Sequence, residues 1–207
     1  MSQKTAAYIS YLFYPGLIPT YLLAVLYFVA PYLVSIEGYP TVAKLLLLFF
    51  VLLYTFIFPS LMVYWLYKRG QIKSLTMEEP KERRIPYLIT VVSSGFLAYF
   101  FAQKSSMLLP SALIIGLITL VIALVAVINL KWKISAHSAA IGGVIGAFFT
   151  LRIHYDESLL NVPFFTALFI GGLVLSARLK LNAHTPLQIA AGFLLGLFIS
   201  IFGVFYI

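Results

Sequence analysis

The chain is predicted to be an all-α polytopic membrane bundle with six or seven transmembrane helices, and three observations predict it. Of its 207 residues, 62% are hydrophobic and 10% charged, whereas a water-soluble domain holds roughly 45–50% and about 25%. Mean hydropathy is +1.03. Apolar stretches close to the ~20 residues that a bilayer-crossing helix needs recur along the whole length. No soluble-type repeat, low-complexity tract or linker divides them, so residues 1–207 read as one integral-membrane domain. The absence of Cys removes thiolate nucleophiles, disulfide scaffolds, iron–sulfur clusters and Cys-based zinc sites.

Seven stretches carry this reading: 11–35, 41–67, 86–103, 107–130, 137–153, 160–177 and 187–207. Before the first stand one early Lys4 and no small-residue cleavage site, so it reads as a span and not as a signal peptide. The second, fourth and seventh are long and unbroken. The third and fifth are short and contain Gly and Ser, and both are kept as full spans. Small residues concentrate in the last three: Ala139, Gly142, Gly143, Gly146 and Ala147, then Gly171 and Gly172, then Ala190, Ala191, Gly192 and Gly196. Spacings such as Gly142-xxx-Gly146 and Gly192-xxx-Gly196 let helix backbones approach closely, so these three are expected to form one compact group.

Seven spans put the N-terminus and the loops 68–86, 131–136 and 178–186 on one side. Eleven of the fourteen cations fall there, and only Lys44, Lys104 and Arg152 fall opposite. The positive-inside rule counts Lys and Arg alone and assigns that side to the cytoplasm. All six acidic residues lie outside the apolar stretches, which argues against proton pumps and cation channels and leaves an anion transporter as one alternative. Tyr8, Tyr11, Tyr67, Tyr87, Trp132 and Tyr155 stand at span ends as interfacial anchors. His154 and Asp156, in the connection opposite, are too few for a specific metal site.

The dense polar chemistry lies in three loops of the basic side. The first reads Lys81-Glu82-Arg83-Arg84-Ile85-Pro86 and the second Ile134-Ser135-Ala136-His137. The third begins at Ser176-Ala177-Arg178 and runs through Asn182-Ala183-His184-Thr185-Pro186-Leu187-Gln188. Ser135 is placed as a helix N-cap. Thr185 before Pro186 makes another, with Gln188 reaching back from the first turn. Free N–H groups and the helix dipole favour an anion at both starts, and Arg supplies bidentate contacts to phosphate oxygens.

Together these segments resemble the phosphatidic acid phosphatase type 2 superfamily, which includes membrane lipid phosphatases and vanadium haloperoxidases. Its motifs are K-x6-R-P, P-S-G-H and S-R-x5-H-x3-D, in that order. Arg178 stands six residues before His184, as the third motif requires, and Gln188 takes the place of its Asp. Ser135-Ala136-His137 matches the second motif, with Ala for Gly and Ile134 for Pro. Pro86 with Lys81, Arg83 and Arg84 matches the first loosely, without its spacing. The likeness covers about 81–192 and implies a phosphatase-like core over about 81–207.

The resemblance implies a membrane hydrolase of lipid phosphate or diphosphate esters. His184 would attack phosphorus to form a phosphohistidine. His137 would protonate the leaving group and then activate water, while Gln188 would orient His184 through its amide oxygen without supplying charge. Arg178, one or more of Lys81, Arg83 and Arg84, and Ser135 would neutralise the phosphate oxygens. The implied substrates are lipid phosphates or polyprenyl diphosphates at the bilayer surface; no metal, cofactor or nucleic acid is called for. The alternative is a catalytically impaired relative that binds or moves phosphorylated lipids. The expected location is a bacterial cytoplasmic membrane. Relatives mostly work on its outer face, in conflict with the charge count, so the side stays open.

Overall fold

The computed structural model describes residues 1–74 and 80–206, without the side chains of Pro80 and Lys81. As the sequence predicts, the fold is all-α, with no strand among the described residues. Its helices are α1 (Gln3–Leu12), α2 (Ile18–Val29), α3 (Thr41–Lys68), α4 (Arg84–Lys104), α5 (Leu109–Asn129), α6 (Ala136–His154), α7 (Asn161–Lys180) and α8 (Pro186–Val204).

Six of them, α3 to α8, are long and apolar enough to cross a membrane, in α5 and α7 with the short turn that leads in. At 19 residues for α6 and 21 for α4, the two stretches that looked short are about 28 and 31 Å long. Large apolar side chains cover the outside, among them Leu46, Val92, Phe96, Val127, Phe169 and Phe202, all exposed. Such a surface suits hydrocarbon and not water. The protein is an integral membrane protein.

The first apolar stretch departs from expectation. It is not one continuous span over 11–35 but two short helices separated at Phe13–Leu17. Pro15 and Gly16 sit in the gap, where Pro removes an N–H and Gly weakens helix formation. The two pieces still connect opposite ends of the bundle. The Ser10 carbonyl meets His137 Nε2, in the first turn of α6, at 3.1 Å. Tyr27 Oη meets Ser111 Oγ, in the first turn of α5, at 3.0 Å.

α3 carries a matching irregularity, a π-helical turn at Leu53–Ile57. Pro59 follows it, and a proline cannot donate to the carbonyl four residues back, here that of Thr55. The polar groups released by both breaks find partners in neighbouring helices, as hydrocarbon surroundings require. Thr55 Oγ1 lies 2.9 Å from the Gly16 carbonyl and 2.8 Å from that of Val51. Ser93 Oγ, on α4, donates to the Tyr54 carbonyl at 2.8 Å. A Cβ on Gly16 would stand 2.7 Å from the Thr55 carbonyl oxygen, so the two breaks meet only because Gly16 has no side chain.

The bundle is organised around α6, which is 61% buried, against 22–33% for the other five long spans. Its tightest partner is α8. A Cβ on Gly142 would strike the Phe193 carbonyl, and one on Gly196 would strike that of Ala139. α7 packs on another side of α6, with Gly171 under the Ile145 and Ile141 side chains, while Gly172 meets nothing within 4 Å. The expected three-helix group is therefore a close α6–α8 pair with α7 laid against α6, and α7 and α8 touch each other little.

Candidate functional site

The starts of α4, α6 and α8 and the last turn of α7 meet at one end of the bundle, which carries most of the cations. Ser135 caps α6, its Oγ accepting from Ser138 N at 3.4 Å and from Ser138 Oγ at 2.9 Å. Thr185 and Gln188 form the expected capping box on α8. Gln188 N donates to Thr185 Oγ1 at 3.4 Å, and Thr185 N donates to Gln188 Oε1 at 3.1 Å. Ser135 N reaches the Gln188 carbonyl at 3.3 Å, tying the two helix starts together.

Between these caps lie the two histidines. Each has one ring nitrogen on a backbone carbonyl, which can only accept, so that nitrogen carries the proton. For His137 it is Nε2, 3.1 Å from Ser10 O; for His184 it is Nδ1, 3.4 Å from Lys133 O. His137 Nδ1 and His184 Nε2 are then the basic atoms. His184 is buried, and its pKa is pushed down to about 4, first by desolvation and then by Arg178 and Arg83. The imidazole is therefore neutral, and nucleophilic, at physiological pH.

Arg178 lies within electrostatic reach of both histidines, of Arg83 and of Tyr87. Its Nε is buried with no hydrogen-bond partner among the described residues. Tyr87 is hydrogen-bonded to Arg83 and packs against the buried cluster of Val121, Val125, Ile134 and Ala139. Two guanidinium groups thus act electrostatically on both imidazoles, and the Lys133 ammonium adds to them at His184. Such a concentration of positive charge stabilises an anion.

Of the residues singled out from sequence, Arg83, Arg178, His137 and His184 converge here. Ser135 and Gln188 are adjacent, but both are engaged in caps. Ser135 is fully buried, and the amide oxygen expected to orient His184 is spent on Thr185 N. The Lys133 carbonyl occupies the orienting position. Arg84 is exposed, and the Lys81 side chain lies outside the described residues. Sequence reasoning missed Tyr14, whose ring meets His137 edge-on with centroids 6.1 Å apart, and the backbone carbonyls of Ser10 and Lys133. Tyr87, read from sequence as an interfacial anchor, is hydrogen-bonded to Arg83. No cluster of three or more His or carboxylate side chains suited to a metal occurs among the described residues.

No known protein family, curated protein or solved structure matches the chain.

Proposed function

We propose that the protein is a membrane hydrolase that cleaves lipid phosphate or diphosphate esters through a phosphohistidine on His184. The observation that carries this reading is the placing of a neutral, oriented imidazole beside Arg178 and Arg83 at the membrane boundary. His184 Nε2 attacks phosphorus, an N–P bond forms, and the bond to the leaving oxygen breaks with its electron pair on that oxygen. His137 keeps Nε2–H on Ser10, takes the proton of the bound phosphate monoanion at Nδ1, and passes it to that oxygen. Water then attacks the phosphohistidine and gives its proton to His137 Nδ1. The N–P bond breaks, phosphate leaves with the proton held on His137 Nδ1, and both imidazoles return to their neutral starting forms. Arg178 and Arg83 neutralise the equatorial oxygens throughout, and that stabilisation provides most of the catalysis in phosphoryl transfer.

The carbonyl of Lys133 orients His184 with a dipole where a carboxylate would add a full charge. This favours a second reading, a protein that holds phosphorylated lipids without turning them over. Phosphate release from a panel of lipid phosphates and diphosphates separates the two. The hydrolase reading expects release by the wild type, lost in His184→Ala, together with an acid-labile phosphoryl group on His184 after rapid quenching. Equal background release by both proteins across the panel overturns it. In this reading the chain sits in a bacterial cytoplasmic membrane, and accessibility of a cysteine placed at Ser74 tells which side the basic end faces.

A further inference from the structure

One face of α6 joins the charged site to an apolar groove. His137, Ile141, Val144 and Phe148 are spaced by four, three and four residues and form a single stripe. The last three line a groove of about 200 Å³ between α6, α7 and the broken N-terminal helix pair. Phe13, Ile18, Leu22 and Val25 form the second wall, and Pro163, Ala167 and Ile170 the third. Tyr21 and Thr166 bring hydroxyls to this lining, and that of Tyr21 is occupied by the Leu12 carbonyl at 3.1 Å. The gap between α1 and α2 links groove and site directly. Tyr14 packs edge-on to His137, and its neighbour Phe13 turns into the groove.

We propose that this groove holds the hydrocarbon chain of the phosphorylated lipid whose head group lies at His137, His184, Arg178 and Arg83. The inference rests on the phosphoester reading of the charged end and adds where the rest of the molecule goes. The depth fits. Ile141 lies one turn, about 6 Å, below His137, and the stripe continues about 10 Å further to Phe148. A lipid anchored at the basic end therefore runs along the groove through its own leaflet, about 15 Å thick. The near absence of polar partners favours a chain that is hydrocarbon from its first carbons. A glycerol backbone would set two ester carbonyls against Ile141 and Phe13. Because bilayer and groove are equally apolar, binding there gains little from the hydrophobic effect. Its contribution is to fix the phosphorus relative to His184, a positioning effect.

The test uses the purified wild-type protein and a long-chain alkyl phosphate with a diazirine midway along its chain. Photolysis is expected to mark peptides containing Ile141–Phe148, Phe13–Val25 or Val162–Ile170, with the long-chain phosphate competing and the corresponding alcohol competing far less. Unsaturable labelling of outward residues such as Phe96 and Phe202 overturns the proposal. In parallel, Val144→Trp and the milder Ala167→Leu, which narrow the groove, are expected to lower the ratio of kcat/KM for long-chain over phenyl phosphate about tenfold. A ratio at the wild-type value in both variants also overturns it. Groove labelling without phosphate release from any substrate removes the hydrolase reading and leaves the groove standing. Release with labelling elsewhere removes the groove alone.

Discussion

The two halves of the bundle are held together by different chemistry. Around α6 and α8 the helices touch backbone to backbone, with Gly142 and Gly196 fitted against the carbonyls of Phe193 and Ala139. Around α2, α3, α4 and α5 they are joined by hydroxyl groups. These include Thr55 to Gly16, Ser93 to Tyr54, and Thr119 Oγ1 to Ser94 Oγ at 3.0 Å. The first arrangement is intolerant of any added atom and fixes helix positions closely. The second fastens helices whose backbones are themselves broken, and each bond contributes about 1 kcal/mol. Both histidines sit where the close-packed half begins.

The sharpest way to break this comparison is at the site itself. If the proposed hydrolase reading holds, His184→Ala lowers hydrolysis by about 10³-fold or more, equivalent to about 4 kcal/mol in the barrier, with unfolding in detergent little changed. A comparable loss of stability would mean that His184 serves packing instead. Next in size, Gly196→Val should cost about 3 kcal/mol, because α8 must move off Ala139. Thermal unfolding measures it, and activity should fall with it. The counterpart in the other half is gentler. Ser93→Ala leaves the Tyr54 carbonyl without its partner and is expected to cost about 1 kcal/mol by the same assay. If Ser93→Ala proved the costlier, the division of the bundle would be reversed.

The smallest effect concerns pH. An unfolded histidine takes up a proton near pH 6.5, whereas folded His184 does so near 4. Between those values the unfolded chain binds more protons, so this residue makes stability fall as pH drops from 6.5 toward 4. The imidazole resonances of His184, followed by NMR in micelles, are expected to titrate near pH 4 in the phosphate-free protein. A midpoint near 6.5 would remove the burial and the neighbouring guanidinium groups from the account.

Much of this was readable from residues alone. Hydropathy located α3 to α8, and Ser135 and Thr185-Pro186-x-Gln188 declared their caps because capping is a local interaction between residues three apart. The gathering of Arg83, Arg178, His137 and His184 followed from the common side of their loops. What stayed hidden depended on backbone atoms distant in sequence. Nothing in Ser10 or Lys133 as residue types foretells that their carbonyls fix two histidines, since every residue carries the same carbonyl. The division of 11–35 was encoded in Pro15-Gly16. Apolar residues on either side concealed it, because hydropathy weighs composition and ignores the loss of one N–H.

The meeting of the two broken helices has a consequence for how the protein is made. Ile18–Val29 has 12 residues and spans about 18 Å of a core about 30 Å thick. By itself it is too short to rest across a bilayer. The partner that takes up the Gly16 carbonyl, Thr55, leaves the ribosome 39 residues later. This segment, made before α3, must therefore wait at the membrane surface until α3 has been inserted, and only then close against it. At this junction the helix pair closes onto α3 after α3 is in place, in the reverse of reading order.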